Sequence, residues 1–178
     1  MRLDTDFFSL FQLPPRFALD PEQLSARYLD LRREAHPDRL AATNNAPQKR
    51  LALQWSARIN EGFETLKQPI KRALYLLELH GVAAGIKDNA AMPPEFLMEH
   101  MEWRETVMAA RHEKNMTKLE QTRTRVNEQL AKHLHTLAQL LDEAQDFPAA
   151  AELTRRLLFL EKLQRDIDDA LFALEEDA

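Results

Sequence analysis

Apolar positions recur at helical spacing along most of the chain. Leu24, Tyr28, Leu31 and Ala35 lie at steps of four, three and four, and Ala52, Trp55, Ile59, Phe63 and Leu66 form a second stripe of the same kind. Asp20-Pro21-Glu22-Gln23 supplies an N-cap, a proline suited to the first helical position and a glutamine able to reach back to the cap. This helix must stop by His36, because a residue that precedes proline is pushed out of the α region. Pro47 opens the next helix and Pro69 ends it. Ahead of both, Asp6-Phe7-Phe8-Ser9-Leu10-Phe11 reads as a short aromatic helix closed by Pro14-Pro15. A further helix is predicted over 70–80. Its Ala73-Leu74-Tyr75-Leu76-Leu77 stretch is apolar all round, so it is expected to pack on the preceding helices and also on a second domain.

Residues 81–94 contain two of the three glycines and close with Pro93-Pro94, the pattern of a linker. Three longer helical patterns follow. The first covers 95–112, with Phe96, His100, Trp103, Val107 and Ala110 on one side. The second covers 117–144, through Val126, Leu130, Leu134, Leu137 and Leu141. The third starts near Pro148 and runs through Leu153, Leu157, Leu160, Ile167, Leu171 and Leu174, with Gln164 in the gap of its four–three spacing. The expected division is 1–80, a linker 81–94, and a three-helix bundle 95–178.

Composition narrows the class. Three glycines in 178 residues are too few for the tight turns of a β fold, so the chain is expected to be all-α. The absence of cysteine excludes disulfides, thiolate metal sites and a cysteine nucleophile. Residues 1–80 carry 12 Lys/Arg against 10 Asp/Glu, and residues 81–178 carry 12 against 19. Two modules with different partners fit this asymmetry, and a net charge of −5 disfavours a nucleic-acid partner. The start of the chain is charged and aromatic, unlike a signal peptide, and no run approaches the ~20 apolar residues of a membrane helix. No membrane association is expected, and the expected location is cytoplasmic.

His36-Pro37-Asp38 falls between the first two striped helices. As a bare tripeptide it is a helix stop followed by a turn. An acid–base pair of His36 and Asp38 would need a nucleophile or an oxyanion donor, and none is identifiable nearby, so no catalytic residue is expected and the chain is not expected to be an enzyme. The setting carries more. Tyr28 and Leu31 precede the tripeptide, Arg39 follows it, and Ile59-Asn60-Glu61-Gly62-Phe63-Glu64-Thr65-Leu66, Pro69 and Arg72 come after. This arrangement resembles the J domain. The resemblance implies docking on an ATP-bound chaperone of the DnaK class and stimulation of its ATPase by His36, Pro37 and Asp38. Pro37 stiffens the loop, Asp38 can accept charge-assisted hydrogen bonds, and Arg27, Arg32, Arg33 and Arg39 offer positive charge to an acidic partner. Two departures stand out. Ala35 occupies a position that is often aromatic in J domains, and the helix carrying three of these arginines is neutral overall, which weakens steering.

On the helix over 95–112, Leu97, Met101 and Met108 cluster about 120° from the apolar stripe, with Met98 farther round and Arg104 between the two groups. A helix flanked by two neighbours buries a wide arc, so the pattern alone leaves Leu97 and Met101 open between core and surface. Phe159 is one position off its own stripe and is likewise open. Phe96-Leu97-Met98-Glu99 with Glu102, Arg104 and Glu105, Leu157-Leu158-Phe159-Leu160-Glu161-Lys162-Leu163, and the opening aromatic segment together resemble the HscB co-chaperones across the whole chain. That resemblance implies a J domain, built as a helical hairpin plus short helices, followed by a C-terminal three-helix bundle. The implied partners are an iron–sulfur scaffold of the IscU type and a chaperone of the HscA type, and the implied scaffold-binding positions are Leu97, Met98, Met101, Glu102, Arg104, Glu105 and Phe159. A family position that can carry an acid matches Ala109 here. Eukaryotic members add a cysteine-based zinc segment that this cysteine-free chain lacks, so a bacterial form is implied. No cofactor is implied, since ATP belongs to the chaperone, and no metal site is expected from the histidines: His133 and His135 are two apart and face different ways. The alternative is a J protein that brings a different client to a DnaK-class chaperone.

Overall fold

The computed structural model describes residues 5–35, 46–84 and 92–176. Every regular element among them is helical. In chain order these are α1 (Phe7–Leu10), α2 (Pro21–Glu34), α3 (Ala46–Lys67), α4 (Pro69–Leu79), α5 (Pro94–His112), α6 (Met116–Ala138), a π turn (Gln139–Ala144) and α7 (Phe147–Glu176). The chain divides into two compact units, Met1–Leu76 and Leu77–Ala178, and the division falls within α4. Residues 85–91 of the expected linker lie outside the described residues.

The first unit is a hairpin of α2 and α3 with short helices packed on it. Asp20 caps α2 by accepting from the Glu22 N–H at 2.9 Å, and the helix ends at Ala35. Leu24, Leu31 and Ala35 are buried against a face of α3 that buries Ala52, Trp55, Ile59 and Leu66. Tyr28 completes the pairing. Its ring stacks on Phe63 at 4.0 Å, and its hydroxyl donates to Asn60 Oδ1 at 3.0 Å. The aromatic helix α1 lies on α3 over Gly62, where a Cβ would stand 2.8 Å from ring atoms of both Phe7 and Phe11. Only a glycine lets α1 approach this closely. The Phe7 N–H donates to the Tyr75 hydroxyl at 2.9 Å, and the Arg58 guanidinium lies 4.8 Å from the Phe7 ring centre while donating to the Thr5 carbonyl. In the apolar stretch of α4, Ala73, Leu76 and Leu77 are buried.

In the second unit α5, α6 and α7 surround one core of Val107, Ala110, Leu119, Val126, Leu163, Ile167, Ala170 and Leu171, flanked by Trp103, Leu130 and Leu174. The pattern placed Gln164 in the gap of the α7 stripe. Leu163 fills that place instead, and Gln164 turns outward to donate to Asn127 Oδ1 at 2.9 Å. A helix wedged between two others buries a wider arc than a two-helix seam, which also accounts for the buried Ala150, Ala151 and Thr154. The Thr154 hydroxyl is satisfied by the Ala150 carbonyl at 2.7 Å. The second helical pattern does not continue regularly to 144: its last turn widens into the π turn, which ends with Gln145 in the left-handed region and keeps Leu141 in the core. His80 stacks on Phe147 at the start of α7, with ring centres 3.9 Å apart.

Helix ends explain how so few glycines suffice. Gln12, Lys114 and Gln145 adopt positive φ, as Gly81 does. At Gln12, Gly81 and Lys114 the next N–H bonds back to the carbonyl five residues earlier, as in Leu13 to Phe8, Val82 to Leu77 and Asn115 to Ala110.

Candidate functional site

Two surfaces carry the side chains singled out by the sequence. On the first unit, Arg27 is half-buried while Arg32 and Arg33 are exposed on α2. Arg32 lies 5.6 Å from the Tyr28 ring centre, and Arg33 pairs with Asp30 at 3.5 Å. Both cations therefore have partners on their own helix, and their charge is presented from a surface already partly neutralised. His36, Pro37, Asp38 and Arg39 lie outside the described residues. The Tyr28–Asn60–Phe63 clamp joins the two helices that flank them. Sequence reasoning assigned Tyr28 to a stripe but missed its hydrogen bond to Asn60, because a stripe reports burial and not a polar partner.

On the second unit the ambiguity about α5 resolves. Leu97 is 41% exposed, Met98 65%, Met101 60% and Met108 67%. A separate face of the helix buries Phe96, Val107 and Ala110, so α5 is apolar on two faces and packed on one. Advancing 100° per residue, Leu97, Met101, Arg104 and Met108 fall within about 60° of one another, with Glu105, Met98 and Glu102 continuing round the helix. Glu102, Arg104 and Glu105 are all exposed, as are Glu95 and Glu99. The result is an apolar strip edged by carboxylates. Met108 is absent from the expected binding positions, although its helical direction placed it with Leu97 and Met101.

Phe159 is half-buried, between the two alternatives the sequence left open. Its ring meets Phe96 and His100 edge-on, with centres 5.9 and 5.3 Å apart. His100 stands between the packed and exposed faces of α5, so it brings Phe159 of α7 to the margin of the apolar strip. Burial pushes the His100 imidazole below its ordinary 6.5, opposed by a hydrogen bond with the Phe159 backbone and reinforced by Arg104. His133 of α6 lines a small hollow together with His100 and is lowered too, first by burial and then by Arg156 and Lys132. Among the described residues no cluster of three or more His, Asp or Glu is placed to hold a metal ion, and no helix is long and apolar enough to cross a membrane.

Residues 92–168 match the family model of the HscB C-terminal oligomerisation domain. A co-chaperone protein HscB homolog of Azoarcus sp. (strain BH72) is 52% identical over 174 residues, which cover 97% of each chain. Among solved structures, the chaperone HscB from Vibrio cholerae superposes with a TM-score of 0.83 at 33% identity, covering 96% of this chain and 99% of that one. The human co-chaperone HscB superposes with a TM-score of 0.87 at 26% identity, over 94% and 83%. The near-complete overlap in sequence and the all-helical two-unit architecture converge on one assignment: the chain belongs to the HscB family of co-chaperones.

Proposed function

We propose that this protein is a cytoplasmic adaptor of iron–sulfur cluster assembly that binds an IscU-type scaffold on its second unit and delivers it to an HscA-type, DnaK-class chaperone, whose ATPase it stimulates through its first unit. It performs no covalent chemistry itself, needs no cofactor, and engages neither nucleic acid nor membrane. The chaperone-binding residues are His36, Pro37 and Asp38, with Arg27, Arg32, Arg33 and Arg39 contributing positive charge. The scaffold-binding residues are Leu97, Met98, Met101, Glu102, Arg104, Glu105 and Phe159.

The observation that carries the reading is the solvent-facing strip of α5. Leu97, Met98 and Met101 are left uncovered on a helix that buries Phe96, Val107 and Ala110 on a separate face. Uncovered apolar side chains of this size mark an interaction surface, and methionine adapts its shape to a partner better than a branched residue does. The carboxylates at its edge favour a partner with basic groups and fix its register. Joining the two binding functions in one chain raises the effective concentration of scaffold at the chaperone.

The test is steady-state ATP hydrolysis by an HscA-type chaperone, with this protein and an IscU-type scaffold added singly and together. Stimulation by this protein and a further rise with both are expected. Stimulation that ignores the scaffold, with no heat of binding between scaffold and this protein by calorimetry, would point to a different client.

A further inference from the structure

Met98, Met101 and Met108 are three of the six methionines in the chain, and all three present their side chains to solvent from α5. Met92 and Met116 are half-buried. Among the described methionines, the thioethers most open to solution thus coincide with the apolar strip. An exposed thioether reacts with peroxides where a leucine of similar size does not.

We infer that these methionines make scaffold binding sensitive to peroxide: their oxidation to sulfoxides turns the apolar strip polar and releases the scaffold. The inference rests on the proposed scaffold-binding role of this strip. In the reaction a sulfur lone pair attacks one oxygen of hydrogen peroxide, the S–O bond forms as the O–O bond breaks, and the departing hydroxide takes the proton of the new S–OH group, leaving the sulfoxide and water. Sulfur is oxidised by two electrons and the peroxide is reduced. Each sulfoxide adds a strong acceptor where the exposed Glu102 and Glu105 already flank the strip with negative charge. A partner that covers the oxidised strip must bury an oxygen without a built-in donor, and it meets no added positive charge in return. A thiol-dependent methionine sulfoxide reductase reverses the change.

The experiment treats the full chain with hydrogen peroxide, removes the oxidant, maps the oxidised residues by peptide mass, and titrates an IscU-type scaffold by calorimetry. Met98, Met101 and Met108 are expected to oxidise before Met92 and Met116. Scaffold affinity is expected to fall at least about tenfold with helicity unchanged, and to recover after reductase treatment. The triple variant Met98→Leu, Met101→Leu and Met108→Leu is compared with itself before and after treatment, and peroxide is expected to leave its affinity, whatever the starting value, unchanged. Unchanged binding by wild-type protein carrying all three sulfoxides overturns the inference, as does an equal loss in the leucine variant. Absence of binding by the untreated wild type overturns the scaffold reading itself, and the inference with it.

Discussion

Replacing Gly62 by alanine tests the close contact between α1 and α3. Two effects favour the change: alanine is preferred to glycine in a helix by about 1 kcal/mol, and a buried methyl contributes about 0.8 kcal/mol. Against them, the new Cβ would stand 2.8 Å from Phe7 Cδ1 and 2.8 Å from Phe11 Cε2. Neither ring is a free end. Phe11 is fully buried, while Phe7 is held between Tyr75, at 4.8 Å, and Arg58. Relief therefore requires all of α1 to move away from α3, at the upper end of the ~1–3 kcal/mol typical of overpacking. The net expectation is a loss of about 1 kcal/mol, or ~4–8 °C in the melting temperature of a unit this small. Trp55 lies in the first unit and Trp103 in the second, so fluorescence in a Trp103→Phe background follows the first unit alone. Adding Phe7→Leu should recover part of the loss, since it removes one of the two ring contacts, and a double-mutant cycle isolates that coupling. A Gly62→Ala protein as stable as its parent, or more so, would refute the packing argument.

Further outcomes concern the two surfaces and the helical bundle. His36→Gln is expected to leave helicity and melting unchanged while abolishing stimulation of the chaperone ATPase, and persistent stimulation would exclude the proposed role of His36-Pro37-Asp38. Leu97→Ala combined with Met98→Ala should weaken scaffold binding roughly 10–100-fold, from loss of about 1–3 kcal/mol of apolar contact, with a melting temperature within a few degrees of wild type. A large fall in melting temperature would instead show that these side chains support the core. His100 and His133 have folded-state values below the ordinary 6.5, so the unfolded chain binds more protons as the pH falls through 6.5. Stability of the second unit is then complete above about pH 6.5 and declines below it; urea titrations of wild type and of His100→Gln with His133→Gln should diverge there, the variant showing the flatter profile.

Much of this architecture is legible in the sequence because its signals are local. Asp20-Pro21 and the residue before Pro37 bound α2, and the 3.6-residue period identifies the faces of α3, α5 and α7. Four features lack such signals and stay hidden. The helix stops at Gln12, Lys114 and Gln145 use left-handed backbone without glycine, so nothing in the residue type announces them. Leu163 and Gln164 exchange roles because the arc that α7 buries depends on both neighbours. Whether Leu97 and Met101 are core or surface likewise depends on whether another helix covers that side of α5, and a helical wheel records direction but not what lies there. The half-buried state of Phe159 has the same origin, since it is set by Phe96 and His100 on a different helix.

The seam formed by half-buried Phe159 with Phe96 and His100 joins α7 to α5. A passenger that covers Phe159 and the neighbouring strip would grip both helices at once, so occupancy and bundle integrity become thermodynamically linked. Loading should then slow amide exchange in α5 and α7 together, even at residues the passenger never touches, and a weakened bundle should hold its passenger less firmly although the contact surface is unaltered.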